Sequence, residues 1–119
     1  MRHALLLLVA LTACNAAPEA NAPQSQGQTF PQAVEMMCNV DRLAGLDPAA
    51  EPLEVGQKRT AWINEHVDNP DAIELRTRMS VKTASEQAEM LRVKSKSCSL
   101  GACPFADSLE KDGMGGLSP

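Results

Sequence analysis

Beyond residue 28 the apolar side chains recur at three- and four-residue spacing, and no stretch keeps a two-residue alternation of branched side chains, so the pattern predicts helices and no strand. Thr29-Phe30-Pro31-Gln32 fits a capping box, with Pro31 in a first turn whose amides lack helical partners. The helix it opens turns Phe30, Val34, Met37, Cys38 and Leu43 inward and meets a natural stop at Gly45. Residues 45–54, with Pro48 and Pro52, read as a loop. A second helix over 53–67 has Ala61, Trp62, Ile63 and Val67 as its most apolar turn, with Trp62 as a main core anchor, and Asn69-Pro70 ends it. Asn69 then caps a third helix with Ala72, Leu75 and Met79 on its inner face, and Asp71 and Glu74 near its positive end. Thr83-Ala84-Ser85-Glu86 is a second capping box, opening a helix with Ala84, Ala88 and Leu91 on one side and Arg92, Lys94 and Lys96 in its last turns. After Gly101 and Pro104, residues 104–110 allow a short helical turn with Phe105 and Leu109 one turn apart. The expected fold is all-α: a small antiparallel bundle of about four helices with a short C-terminal helical turn and one disulfide.

The first 28 residues obey a different pattern. A positive start, Met1-Arg2-His3, precedes an apolar run over residues 4–11, too short to cross a bilayer as a helix and matched to the core of a secretory signal. The run closes on Leu11-Thr12-Ala13-Cys14, which resembles the lipobox of bacterial lipoproteins: an aliphatic residue, two small residues, then the modified cysteine. The resemblance covers the leader and Cys14 alone. It implies a diacylglycerol on the Cys14 sulfur, cleavage before Cys14, and acylation (palmitate or similar) of the new amine. Several chains anchor durably where one anchors reversibly, since each buried methylene contributes about 0.8 kcal/mol. Asn15 stands where Asp would signal inner-membrane retention, so the resemblance implies a lipid-anchored protein of the bacterial cell envelope, in the outer membrane and facing the periplasm.

From residue 15 to 28 no aliphatic side chain exceeds Ala, so this stretch buries too little apolar area to offset its ordering entropy. The expected organisation is a signal peptide over 1–13, a disordered tether over 14–28 that holds the domain on the order of 20 Å from the bilayer, a helical domain over 29–111, and a flexible tail over 112–119. Met36-Met37-Cys38 early, Trp62-Ile63 in the middle and Cys103-Pro104-Phe105-Ala106-Asp107 near the end loosely resemble small bacterial lipoproteins and secreted proteins of unassigned activity. That resemblance implies no activity.

Composition narrows the partners. Phe30, Trp62 and Phe105 are the only aromatic residues in 119, too few for a stacking platform, and the net charge of −4 disfavours polyanions; no nucleic-acid partner is expected. Charge is uneven, however. Residues 35–74 hold nine acidic and three basic side chains, and residues 75–96 hold six basic and two acidic. Arg76, Arg78, Lys82, Arg92, Lys94 and Lys96 therefore form a candidate basic interaction face for anionic lipid, cell-wall polymer or an envelope protein, beside the plainer alternative of solvated helix faces.

Setting Cys14 aside for lipid leaves Cys38, Cys98 and Cys103, which permit one bridge in three pairings. The envelope is oxidising, and a domain of this size needs a staple. A loop of over 60 residues closed by Cys38 would contribute about 4 kcal/mol on the chain-entropy model, against about 2 kcal/mol for Cys98 to Cys103. Of the two long options we expect Cys38–Cys103, because Cys103 opens the last helical turn; Cys98 is then the free thiol.

Catalytic groups are scarce. His3 leaves with the leader, so His66 is the only imidazole in the mature chain, and a Cys38–His66 nucleophile and base would sit on an apolar helix face where thiols are structural. There is no phosphate loop, nucleophile elbow or paired-histidine zinc motif. We expect no enzyme, no cofactor and no metal. The alternative function is a small periplasmic copper or thiol-handling protein, using Met36, Met37, Cys38, Met79, Met90, Cys98, Cys103 and His66 as soft ligands.

Overall fold

The computed structural model of the chain describes residues 27–119. The expected signal peptide, lipidated Cys14 and tether residues 15–26 lie outside the described residues. Within them the fold is all helical, with no strand: α1 (Phe30–Cys38), α2 (Val40–Leu43), α3 (Pro52–His66), α4 (Pro70–Met79), α5 (Ala84–Ser97) and α6 (Pro104–Asp112).

The helix starts follow local chemistry. Thr29 accepts from the Gln32 amide at 3.3 Å while Gln32 accepts from the Thr29 amide at 3.0 Å, and Thr83 and Glu86 repeat the exchange at the head of α5. Asn69 Oδ1 accepts from the amides of Asp71 and Ala72 at the head of α4. Each side chain satisfies amides that the first helical turn leaves without partners.

The expected first helix is two. It breaks at Asn39, whose side-chain amide donates to the Glu35 carbonyl at 2.9 Å and whose backbone leaves helical geometry at ψ 19°. Such local bonds compete with helix continuation. The break turns α2 away, so Leu43, expected inside, is 42% exposed, whereas Val40 is buried. Gly45 does stop the segment, with a φ of 64° and the Leu46 amide bonded back to Asp41 O. At the end of α5 the left-handed position is taken by Ser99, at φ 55°, two residues before the expected break at Gly101.

α1 is the hub. It packs against α4, α5 and α6, and Phe30, Ala33, Val34, Met37 and Cys38 are all buried; α5 and α6 form the closest helix pair, and α2 lies on α3. Phe105, Met37, Ile63, Met79, Leu91 and Leu109 are the largest fully enclosed apolar side chains. Trp62, expected as the main anchor, is only half-buried. Its ring stacks on His66 at 4.2 Å on the outer side of α3, and Phe105 occupies the centre instead.

Both ends of the expected domain move outward. Gln28, assigned to the tether, is fastened: Nε2 donates to His66 O at 2.7 Å, Oε1 accepts from the Asp68 amide, and its carbonyl accepts from Asn69 Nδ2. The expected flexible tail over 112–119 is also corrected. α6 extends through Asp112, and the following residues, though irregular, return across the domain with Leu117 only 4% exposed. Polar side chains on α3 and α5 supply the hydrogen bonds that glycine-rich backbone cannot make with itself.

Candidate functional site

Helical periodicity divides the six cations among three places. Arg76 and Arg78 are two residues apart on α4, so they project about 200° apart. Arg76 donates to Asn64 on α3, and Arg78 pairs with Glu74 on the open side. On α5 the same rule separates Arg92 from Lys94. Arg92 turns to α6, where it bonds Asp107 at 2.9 Å and Glu110 at 2.5 Å. The Asp107 hydrogen bond, reinforced by Glu110, raises the Arg92 guanidinium above its ordinary value. Lys96 lies on the Arg92 side, in a hollow with Ser95, Leu100 and Asp107.

What remains together is a groove of about 380 Å³ along α4 and α5. Leu75, Met90 and Val93 give it an apolar lining, Arg78, Lys82 and Lys94 stand at its rim, and Glu86 and Glu89 complete it. Lys82 and Lys94 carry no ion pair among the described residues. Val93 and nearby Val81 are 57% and 74% exposed, so apolar surface and unpaired lysines coincide at this groove.

The sulfur atoms are mostly committed elsewhere. Cys38 and Cys103 form a disulfide with Cα atoms 4.6 Å apart, closing a separation of 65 residues and joining the end of α1 to the head of α6. Cys38 is therefore no nucleophile. The expectation of a free thiol at Cys98 is corrected: Cys98, the C-cap of α5, is also disulfide-bonded, and no free cysteine stands among the described residues. Met37 and Met79 are fully buried, Met36 accepts from Gln28 Nε2, and His66 Nδ1 lies 2.8 Å from the Trp62 carbonyl. No group of three or more His, Cys, Asp or Glu side chains placed to hold a metal occurs among the described residues.

Three residues that sequence reasoning passed over hold a second locus. Arg59 on α3 is 4% exposed, chelates both Asp41 oxygens at 2.6 Å, stacks over the Phe105 ring at 4.7 Å, and donates from Nη1 to Gly115 O at 2.9 Å. Gln87 on α5, 2% exposed, accepts from the Leu117 amide at 2.8 Å and donates to the Leu117 carbonyl at 3.1 Å. Thr60 Oγ1 accepts from the Ser118 amide at 3.1 Å. The signal was available in principle: Arg59 shares an inward face with Gly56 and Ile63, and Gln87 with Leu91, and a polar group at such a position requires a partner.

No family model, curated protein or solved structure matches this chain. No helix among the described residues is long and apolar enough to cross a membrane.

Proposed function

We propose that this chain is a bacterial envelope lipoprotein, anchored by acyl groups at Cys14 in the outer membrane, whose small helical domain faces the periplasm and acts as a non-enzymatic interaction module. The observation that carries it is Leu11-Thr12-Ala13-Cys14 at the end of a short apolar leader, followed by a polar stretch that reaches Gln28. The α4–α5 groove supports the interaction half. An apolar lining with lysines at the rim suits an envelope partner with an apolar, acidic surface.

The anchor is tested by labelling cells with an alkyne analogue of palmitate and fractionating the envelope. The wild-type chain should be labelled, globomycin-sensitive and membrane-bound; Cys14→Ser should be none of these. A Cys14→Ser chain that matures and fractionates like wild type would refute the anchor, and so would recovery from envelopes of a Cys14 peptide in a disulfide. The interaction half is tested by photo-crosslinking from position 82 or 94, which should capture a discrete envelope partner. Tight stoichiometric Cu(I) binding by the lipid-free chain would instead favour the copper-handling alternative.

A further inference from the structure

The segment after α6 is bound as a ligand is bound. From Gly115 to Ser118 every direct hydrogen bond to the body of the domain runs from the strap's backbone to a side chain of α3 or α5, never backbone to backbone. Gln87 engages both the amide and the carbonyl of Leu117, which is how a recognition site reads an extended peptide without regard to its side chain. Sequence selection comes from the neighbours. A β-carbon at position 116 would lie 2.9 Å from Gln87 Oε1 and 3.0 Å from Nε2, and Gln87 is fixed from behind by its bond to Lys82 O. One at position 115 would lie 2.7 Å from Arg59 Nη1, and there φ is 79°. The body contributes its own close approach: at Gly56 a β-carbon would meet Gly116 O at 2.9 Å. After two required glycines the cleft encloses an aliphatic side chain, that of Leu117.

From these contacts we propose that the cleft between α3 and α5 is a peptide-recognition site for extended segments of the form Gly-Gly followed by a branched aliphatic residue, and that residues 115–118 occupy it in cis. The site takes its ligand from a partner protein when the strap lifts. Its hinge is Gly113, a left-handed cap on α6, with Met114 beside it 58% exposed. Lifting the strap leaves the helices and the Cys38–Cys103 bridge untouched, so it is a local opening rather than unfolding. The inference deepens the interaction-module reading and rests on it only in taking the partner to be a protein; the anchor at Cys14 plays no part, so the two fail separately.

Hydrogen exchange and trans binding on the full chain test it. In the wild type the Leu117 amide should exchange at least tenfold faster than the amides of Met37 and Leu91. Equal rates would mean that the strap opens only when the whole domain does, and the proposal is then wrong. Leu117→Asp should vacate the cleft. A fluorescent peptide spanning residues 112–119 should bind that variant saturably, and bind both the wild type and a Leu117→Asp/Gln87→Ala variant at least tenfold more weakly. The same peptide carrying Gly116→Ala should bind at least tenfold more weakly too. Binding indifferent to Gln87 and Gly116, or no binding by a Leu117→Asp chain with intact helical circular dichroism, overturns the proposal. Where Leu117→Asp fails to fold, the exchange comparison on the wild type decides.

Discussion

α6 is held at its two ends by different physics. Its head is joined to α1 by the Cys38–Cys103 bond, in an apolar setting where Phe105, Ala106 and Leu109 are fully enclosed. Past its other end the chain is held by the enclosed Leu117 side chain and by Arg59, Thr60 and Gln87, through hydrogen bonds that water can replace once the strap moves. A covalent staple acts mostly by restricting the unfolded chain, so it stabilises the whole domain. A polar clasp stabilises only what it touches. The difference separates the cooperative core from a segment that can leave alone.

Breaking the stapled end should have the largest effect. Cys38→Ser and Cys103→Ser should each lower unfolding stability by about 2 to 5 kcal/mol, with the double variant no worse than either, read from urea midpoints. At the clasped end, Arg59→Ala deprives Asp41 and Gly115 O of a partner and uncovers Phe105. We expect a loss of about 2 to 3 kcal/mol, below the fully buried limit because the Asp41 side chain is 36% exposed. Gln87→Leu should cost about 1 to 3 kcal/mol by leaving the Leu117 amide and carbonyl unpaired, with less change if the strap swings into water. A loss near zero with a released strap, seen as collapse of Leu117 amide protection, would sharpen the contrast between the two ends. Arg92→Ala, at the exposed α5–α6 pairs, should cost less than about 1 kcal/mol and be masked by high salt. Smallest, and opposite in sign, Ser99→Gly should raise stability by about 0.5 kcal/mol, since glycine adopts φ 55° without strain but gains freedom when unfolded.

Sequence reasoning reached what local chemistry decides. The caps at Thr29, Asn69 and Thr83, the stop at Gly45 and the long-range Cys38–Cys103 bridge were all legible. It missed the break at Asn39, because a side-chain amide bonding back four residues leaves no mark on hydrophobic periodicity. It overrated Trp62, because ring size says nothing of which side of α3 faces Phe105. Residues 113–119 looked shapeless because their bonds come from Arg59, Thr60 and Gln87, far away in sequence. The basic run suggested one face because it is compact in sequence, yet residues two apart on a helix point nearly opposite ways, and only Arg78, Lys82 and Lys94 meet at the groove.

The fastening of Gln28 sets where mechanical load would enter the domain. Tension drawn through the N-terminal side of the chain arrives first at the corner made by His66, Asp68 and Asn69, and must shear the Gln28 bonds before it reaches α1. If those yield, α1 can peel only as far as Cys38, ten residues on and about 35 Å when fully extended. There the bridge passes the force directly to Cys103, so a load taken up beyond that point bypasses residues 39–102. Under such a pull the extension before the bridge is reached is limited to the ten residues from Gln28 to Cys38.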